Sequence, residues 1–233
     1  MTHPARLALF DLDHTLLPLD SDYQWADFLA RTGRAGDPAV ARQRNEDLML
    51  RYNEGRLTAQ EAAQFMLGLL AGHDLDVLAG WHEEFMAQVI APAITPQARE
   101  LVDSHREAGD LCALVTATNS FVTAPIARAF GIDTLIATDP ELLDGRYTGR
   151  IHGTPSFQAG KVIRVDAWLK TLGAGLQGFD EAFFYSDSIN DLPLLEAVNR
   201  PVAANPSPAL REIATARGWP VLDLFSALED QKS

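Results

Sequence analysis

The chain has 233 residues, 47% of them hydrophobic, so it can bury one good core and a second, smaller one. Its formal net charge of −13 argues against nucleic acid or an anionic membrane surface as a partner, although a metal ion and a lysine can reverse the sign locally for an anionic substrate. The lone Cys112 excludes an internal disulfide framework, and the absence of a signal peptide or membrane-spanning run leads us to expect a cytoplasmic protein.

The first predicted element is a short strand, residues 7–10, that runs directly into Asp11 and Asp13. A short apolar run bounded by polar residues indicates a buried strand, and open α/β sheets bind ligands at the carboxyl ends of their strands. Two acids held there repel each other unless a cation or a shared proton intervenes. The pair therefore favours a metal-assisted reaction in which Asp11 attacks and Asp13 moves a proton.

Helical spacing of apolar residues follows the first strand. The predicted helices are residues 22–32, 38–52, 58–70 and 75–90. We interpret residues 19–92 as an all-helical cap inserted between two parts of a catalytic core, residues 1–18 and 93–233. A cap over the ends of the strands excludes water and selects the substrate.

An alternation of helices and strands begins near Thr95. The pattern predicts helices at residues 96–108, 121–130, 161–172, 192–198 and 208–217, and strands at residues 111–115, 134–137, 182–185, 201–204 and 221–224. Asp144-Gly145 indicates a hairpin. Strands that alternate with helices predict an α/β fold with a doubly wound, mostly parallel sheet.

Four motifs occur in order along the chain. They are Asp11-Leu12-Asp13-His14-Thr15, the strand-ending hydroxyl of Ala113-Leu114-Val115-Thr116, the helix-opening lysine of Gly160-Lys161-Val162, and the acidic loop Tyr185-Ser186-Asp187-Ser188-Ile189-Asn190-Asp191. Together they resemble the motifs of phosphatases of the haloacid dehalogenase superfamily. The helical insertion between the first two motifs resembles the branch that contains phosphoserine and histidinol-phosphate phosphatases. The resemblance implies a Rossmann-like core and hydrolysis of a phosphomonoester.

Catalytic roles follow from the residues and from this resemblance. Asp11 is the expected nucleophile, forming an aspartyl-phosphate, and Asp13 is the expected general acid and then base. Lys161 is expected to offset the charge of the phosphoryl oxygens, with Asp191 orienting it. Mg²⁺ prefers oxygen ligands, so we expect Asp11 and Asp187 to bind it. The resemblance adds the backbone carbonyl of Asp13 as a third protein ligand.

Further residues are expected to bind the substrate. The hydroxyl of Thr116 and the backbone amides of Ala117 and Thr118 are candidates for holding phosphoryl oxygens, and Asn190 for contacting substrate or water. We expect His14 to be a supporting or surface residue that points away from the face that Asp13 serves.

Two positions depart from the phosphoserine enzymes that the chain resembles. Asp20 stands where they carry a glutamate for the substrate ammonium, and Met66 aligns with an arginine of their cap. Residues 19–92 contain twelve Asp and Glu against six Arg, which favours a neutral or amine-bearing leaving group. We therefore expect a small phosphorylated metabolite, histidinol phosphate or another amino-alcohol phosphate, with phosphoserine as the alternative. The sequence does not indicate the oligomeric state.

Each motif also has a purely structural interpretation. Asp187 is a candidate helix N-cap, Thr116 an ordinary strand residue, and Lys161 a solvated lysine at a helix start. At the level of function, the alternatives are a phosphoryl-aspartate signalling module, which would be much shorter and without a cap, and an inactive relative that acts as a scaffold.

Overall fold

The computed structural model describes residues 5–54, 56 and 58–225. Residues 1–4 and 226–233, at the two ends of the predicted core, lie outside this description. The strands are β1 (Arg6–Phe10), β2 (Leu111–Asn119), β3 (Thr134–Leu143), β4 (Arg146–His152), β5 (Glu181–Ser186), β6 (Arg200–Ala204) and β7 (Val221–Leu222). Within the described residues they form one seven-stranded sheet, in the order β4-β3-β2-β1-β5-β6-β7. All neighbours are parallel except β3 and β4, so the predicted mostly parallel α/β sheet is confirmed.

Helices connect these strands. They are α1 (Ser21–Arg31), α2 (Pro38–Asn53), α3 (Ala59–Gly68), α4 (Leu75–Phe85), α5 (Ala91–Ala93), α6 (Pro96–Glu107), α7 (Ser120–Ala129), α8 (Ala159–Thr171), α9 (Leu192–Ala197) and α10 (Pro208–Arg217). A π-helical turn spans Met86–Ile90, and 3₁₀ turns span Leu176–Gly178 and Ile189–Asp191. In the described part of the chain, no helix combines the length and apolar character needed to cross a membrane.

The central strand β1 contributes to two hydrophobic clusters on opposite faces of the sheet. Leu7 and Leu9 pack with residues of α8, α9 and α10, whereas Ala8 and Phe10 pack with residues of α6 and α7. Successive side chains of a strand point to opposite faces, so a strand buried on both sides is apolar throughout. This is why four apolar residues precede Asp11 without alternation.

The helical insertion shares the second of these clusters. Trp25 and Phe28 of α1 and Phe85 of α4 are fully buried in the same cluster as Phe10. A smaller, separate cluster contains Ala26, Leu48 and Met66, from α1, α2 and α3. The insertion is therefore anchored to the core through α1, α4 and α3, which packs on β4, while α2 packs mainly on α1.

Three predicted elements differ from those observed by more than two residues at one end. Strand β2 continues to Asn119 because its pairing with β3 resumes there after a register shift that begins at Val115. Strand β3 continues to Leu143 because its second half forms the hairpin with β4. The predicted helix 75–90 changes to π-type hydrogen bonding at Met86. Pro92 follows this turn, and a proline lacks the N–H and clashes with a regular preceding turn.

His82 connects the insertion to helix α7. Its side chain is buried, and its Nε2 lies 2.9 Å from the carbonyl oxygen of Val122, which requires the N–H to be on that nitrogen. Burial lowers the pKa of His82 below its usual value. The folded protein therefore holds this histidine neutral at pH values where the unfolded chain protonates it.

We expect the stability that wild type gains from His82, relative to a His82→Leu variant, to decrease on acidification. At pH 8 the lost hydrogen bond to a buried carbonyl is expected to cost the variant about 1–3 kcal/mol. Below pH ~6.5 the unfolded wild-type chain binds a proton that the folded state does not, so the wild-type advantage shrinks. Urea unfolding of both proteins at pH 8 and pH 5 measures this change. His152→Leu, at an exposed position at the end of β4, is the control, and a gap that stays constant for His82→Leu contradicts the assignment.

Candidate active site

A cavity of about 580 Å³ opens at the carboxyl ends of β1, β2 and β5, between the sheet and the insertion. The chain leaves β1 towards β2 on one side and later returns to β5 on the other. This is a topological switch point, where open α/β sheets form their ligand crevice. The predicted site residues in its lining are Asp11, Asp13, Asp20, Thr116, Ala117, Thr118, Lys161, Asp187, Asn190 and Asp191.

Strand register brings these residues together from distant parts of the chain. Phe10 is aligned with Leu114 on one side and with Tyr185 on the other. The backbone N–H of Asp11 donates to the carbonyl oxygen of Tyr185 at 3.0 Å, which continues the β1–β5 pairing by one residue. The acids that follow β1 and β5 therefore lie at the same edge of the sheet.

Lys161 is buried between two acids. Its Nζ donates to Asp11 Oδ1 and to Asp191 Oδ2, each at 2.7 Å, and Ser186 Oγ donates to the same Asp191 oxygen at 2.7 Å. Burial alone would lower the pKa of Lys161, but Asp11 and Asp191 raise it, so the ammonium stays charged. A Cβ at Gly160 would overlap the carbonyl oxygen of Pro155, and glycine there lets α8 begin close enough for this lysine to reach the site.

Thr15 joins the acids of the first and fourth motifs. Its hydroxyl donates to Asp11 Oδ2 at 2.9 Å and accepts from the backbone N–H of Asp187 at 3.0 Å. Burial, with Asp11 and Asp191 as neighbours, raises the pKa of Asp187 to about 8. The side chain that caps the following turn is Ser188, which accepts from the N–H of Asn190, so the N-cap interpretation of Asp187 is wrong.

Asp13 is oriented by two neutral donors. Oδ1 accepts from the backbone N–H of Ser21 and Oδ2 from the hydroxyl of Thr118, both at 2.7 Å. Burial and the charge of Asp20 raise the pKa of Asp13 to about 6. A carboxyl group with a pKa near neutrality suits proton transfer in both directions.

The donor set fits a hard divalent cation. Asp187 is a partly buried carboxylate that no lysine or arginine pairs with in the described structure, and the carbonyl of Asp13 accepts no hydrogen bond from the backbone described. In the part of the chain that the structure describes, no group of three or more His, Cys, Asp or Glu side chains is arranged to hold a metal. A cation here would have the two carboxylates of Asp11 and Asp187 and a backbone oxygen as protein ligands, a set that matches the preference of Mg²⁺.

The segment 116–118 lies in the irregular part of β2 rather than beyond its end. The hydroxyl of Thr116 accepts from the backbone N–H of Thr118 at 3.2 Å. This amide is therefore already hydrogen-bonded within the segment and is not free for a phosphoryl oxygen. The Thr118 side chain orients Asp13 instead. Thr116 donates its own proton to no acceptor in the described structure, and Ala117 is exposed to the cavity.

Asp20, Asn190 and His14 also line the cavity. Asp20 Oδ1 accepts from the N–H of Tyr23 and caps α1, and Asn190 Oδ1 lies 3.4 Å from Gln158 Nε2. His14 is exposed, and its backbone has the left-handed conformation, with a φ of 59°.

Two polar residues were missed by the sequence analysis. Asp22, in the first turn of α1, lines the cavity, and its Oδ1 accepts from Asn119 Nδ2 at 2.9 Å. An acid in the first turn of a helix is common for reasons of helix stability, and an asparagine before a helix is a usual cap. Neither position therefore stands out in the sequence.

The wall opposite these acids is apolar. It is formed largely by Leu48, Met49, Ala62, Ala63 and Met66 of α2 and α3, with Thr58 and Gln60 as uncharged polar members at the start of α3. Within the described part of the chain, Lys161 is the one lysine or arginine in the cavity lining. The cavity lining thus has three parts: the Lys161 ammonium group beside Asp11, a side with acidic residues, and an uncharged wall from α2 and α3.

Comparison with known proteins gives consistent results. A model of the haloacid dehalogenase-like hydrolase family matches residues 8–196. A histidinol-phosphatase of Neisseria meningitidis serogroup C (strain 8013) is 44% identical over 218 residues, which cover 93% of this chain and 98% of that protein. A phosphoserine phosphatase of Mycobacterium tuberculosis (strain H37Rv), SerB1, is 32% identical over 220 residues, which cover 93% of this chain and 70% of that protein.

Among solved structures, a protein of unknown function from Bordetella pertussis Tohama I is 73% identical, with a TM-score of 0.94, and the match covers 97% of this chain and 100% of that one. The chain belongs to the haloacid dehalogenase-like hydrolase family and is a phosphatase of that family.

Proposed function

We propose that this phosphatase hydrolyses an amino-alcohol phosphate, of which histidinol phosphate is the leading candidate, through a phosphoryl group carried by Asp11. The observation that carries the proposal is the placement of Asp11 and Asp13 in one cavity, with Lys161 bound to Asp11. The similarity to a histidinol-phosphatase supports the choice of substrate.

In the first step, a carboxylate oxygen of Asp11 attacks phosphorus and the ester P–O bond breaks. Asp13 gives its proton to the departing alkoxide oxygen. Lys161 stabilises the negative charge on the phosphoryl oxygens, and the Thr116 hydroxyl donates to one of them. Mg²⁺, bound by Asp11, Asp187 and the Asp13 carbonyl, would neutralise further charge on the phosphoryl group.

In the second step, a water molecule attacks the phosphorus of the aspartyl-phosphate. Asp13, now ionised, accepts the proton of that water, and the bond between phosphorus and the Asp11 oxygen breaks. The donors from Ser21 and Thr118 keep Asp13 in one orientation through both steps. Inorganic phosphate then leaves, and Asp11 returns to its free carboxylate form.

We propose that residues 19–92 act as the cap that covers this reaction. The insertion supplies the apolar wall from α2 and α3, and also Asp20 and Asp22 on the acidic side. Excluding water strengthens the electrostatic interactions within the site and protects the acyl phosphate from uncontrolled hydrolysis. Asp191 keeps Lys161 in place, and Asn190 faces the same space as a candidate contact for the leaving group.

The apolar wall favours an amino-alcohol phosphate over phosphoserine. Met66 is 5% exposed and packs with Leu48, and a thioether offers no charged partner to a carboxylate. Arg56 forms an ion pair with Glu54 and is absent from the described cavity lining, as is Arg51. A substrate carboxylate would therefore be desolvated without a cation.

We expect Asp11→Asn to abolish Mg²⁺-dependent phosphomonoesterase activity, because an amide cannot act as the nucleophile. The loss in kcat should be on the order of 10³-fold or more, as for other nucleophile substitutions. Asp103→Asn, which removes a partly exposed acid that pairs with Arg106 on α6, outside the cavity lining, is the matched control and should keep wild-type turnover. Undiminished turnover by Asp11→Asn, or full activity of the wild type in excess chelator, contradicts the mechanism.

Asp13→Asn should slow the first step by about 10²- to 10⁴-fold for an alkyl ester, whose leaving group needs a proton. With p-nitrophenyl phosphate, whose leaving group is stable without a proton, the loss in that step should be much smaller. Rapid-mixing measurement of the first turnover separates phosphoryl transfer from later hydrolysis. An equal loss for both esters in the first turnover would indicate that Asp13 has a structural role.

Phosphoserine should be a poor substrate. An unpaired buried carboxylate should cost about 2–5 kcal/mol, which corresponds to roughly 30- to several-thousand-fold in kcat/KM. The measurement compares phosphoserine, histidinol phosphate and a neutral polyol phosphate, and phosphoserine as the best of the three would refute the substrate assignment. Met66→Arg should improve phosphoserine relative to histidinol phosphate, whereas Met66→Leu, the size-matched control, should not.

A further inference from the structure

The turn from Asn205 to Ser207, which follows β6, lies against both loops that carry the acids of the site. The Nδ2 atom of Asn205 donates to the carbonyl oxygens of His14 at 3.2 Å and of Thr15 at 3.0 Å, in the loop after β1. The backbone N–H of Ser207 donates to the carbonyl oxygen of Asp187 at 2.8 Å, in the loop after β5. One short turn therefore holds two loops that lie far apart in the chain.

The side chain of Asn205 is hydrogen-bonded at both ends. Its Oδ1 accepts from the backbone N–H of Leu224 at 2.6 Å, and its own backbone N–H donates to the carbonyl oxygen of Leu222 at 2.7 Å. Since a backbone N–H can only donate, the contact with Leu224 assigns oxygen and nitrogen within the amide, and the NH₂ group faces the loop after β1. The backbone of Asn205 has a φ of 47°, a left-handed conformation that asparagine adopts more readily than most residues.

The carbonyl oxygens of His14 and Thr15 have no backbone donor. In the described structure no backbone N–H donates to either of them. Three successive N–H groups of this loop, beginning with that of Thr15, converge instead on the carbonyl oxygen of Leu12. Backbone carbonyls away from water need a partner, and Thr15 is fully buried. The amide of Asn205 therefore satisfies both carbonyls and thereby fixes the path of the loop.

Thr15 transmits this constraint to the acids. Its hydroxyl donates to Asp11 Oδ2 at 2.9 Å and accepts from the backbone N–H of Asp187 at 3.0 Å. Asp187 is thus held through its N–H by Thr15 and through its carbonyl oxygen by Ser207. The two acid-bearing loops are joined twice, once within the site and once by the turn after β6.

We propose that Asn205 is a positioning residue that sets the spacing of Asp11 and Asp187. It acts through the backbone of Thr15 and lies outside the cavity lining, so it touches neither substrate nor reacting atoms. The inference rests on the proposed function, because it takes Asp11 to be the nucleophile and both acids to bind one divalent cation. A misplacement of about 1 Å in such a site lowers the rate about 10²-fold.

The deciding variant is Asn205→Gly, which keeps the left-handed backbone and removes the side chain. For p-nitrophenyl phosphate its kcat should fall about 10- to 100-fold, as for other partners of metal ligands, while KM stays within about 2-fold because the cavity lining is unchanged. Mn²⁺, which shares the oxygen preference of Mg²⁺, serves as the metal probe. Titration followed by electron paramagnetic resonance, with protein and no substrate, should show Mn²⁺ affinity lowered at least about 10-fold.

Asn199 provides a matched control at the opposite edge of the sheet. Its Oδ1 accepts from the backbone N–H of Ala182 at 2.8 Å and its Nδ2 donates to the carbonyl oxygen of Asp180 at 3.1 Å, so it joins the amino ends of β5 and β6. Asn199→Gly removes the same kind of bridge. It should lower the free energy of unfolding, measured with urea, while keeping wild-type kcat and Mn²⁺ affinity.

A second variant tests which end of the Asn205 side chain matters. Asn205→Asp keeps the acceptor for Leu224 and loses the donor to the loop after β1, so its kcat should also fall. A wild-type kcat in this variant would show that the contact with Leu224 suffices, and it overturns the proposal.

The remaining outcomes separate this inference from the proposed function. Wild-type kcat and Mn²⁺ affinity in Asn205→Gly overturn the inference, as do equal losses in Asn199→Gly, which would trace the effect to stability. Undiminished turnover by Asp11→Asn refutes the proposed nucleophile, and Mn²⁺ affinity then decides the inference alone. A wild type that binds no Mn²⁺ removes the metal from the mechanism, and kcat then decides it.

Discussion

Lys161 lies between Asp11 and Asp191, 2.7 Å from one carboxylate oxygen of each, and thereby joins helix α8 to the ends of β1 and β5. Without this ammonium group, the buried Asp11 and Asp191 and the partly buried Asp187 would share one sheet edge with no internal cation. Removing one member of a buried ion pair costs about 3–5 kcal/mol, because the remaining charge is left uncompensated. The charge that makes this edge of the sheet stable is also the charge that a phosphoryl group needs beside the nucleophile.

Much of the fold was predictable because apolar patterns, turn residues and helix caps in the sequence indicate the same elements that the structure contains. The apolar run before Asp11 indicates a strand buried on both faces, and that strand is the central one, with a hydrophobic cluster on each side. The turn at Asp144-Gly145 and the proline that opens α6 behave as local signals predict. The failures are the longer β2 and β3 and the π-helical turn. The pairing of β2 with β3 lengthens β2, the pairing of β3 with β4 lengthens β3, and Pro92 follows the π-helical turn. The periodicity of apolar residues contains no information about these three contacts.

Residues of the candidate site were predictable where they end or follow strands and, for Lys161 and Asp191, where they match the motifs of the resembled family. Asp11, Thr116 and Asp187 converge because parallel neighbours place their carboxyl ends together, so a strand assignment is enough to associate them. Asp22 and Asn119 are 97 residues apart and meet through tertiary packing of α1 on the end of β2. Each also has a sufficient local explanation, as a first-turn acid and as a helix cap. When a residue type is already explained by a local structural role, a single sequence gives no further indication that the residue also lies in a functional site.

The cavity resolves an apparent contradiction between an acidic protein and an anionic substrate. The net charge of −13 repels phosphate esters in general, yet in the proposed mechanism the phosphoryl group would lie beside Lys161 and the candidate oxygen ligands of a divalent cation. The acidic side, with Asp20 and Asp22, lies towards the insertion and would face the remainder of the substrate. A ligand with a negative end and a positive end is complementary to both halves, whereas one with a second negative charge is opposed by the half that holds no cation. In the proposed arrangement the catalytic core would recognise the phosphoryl group and the insertion would select the leaving group.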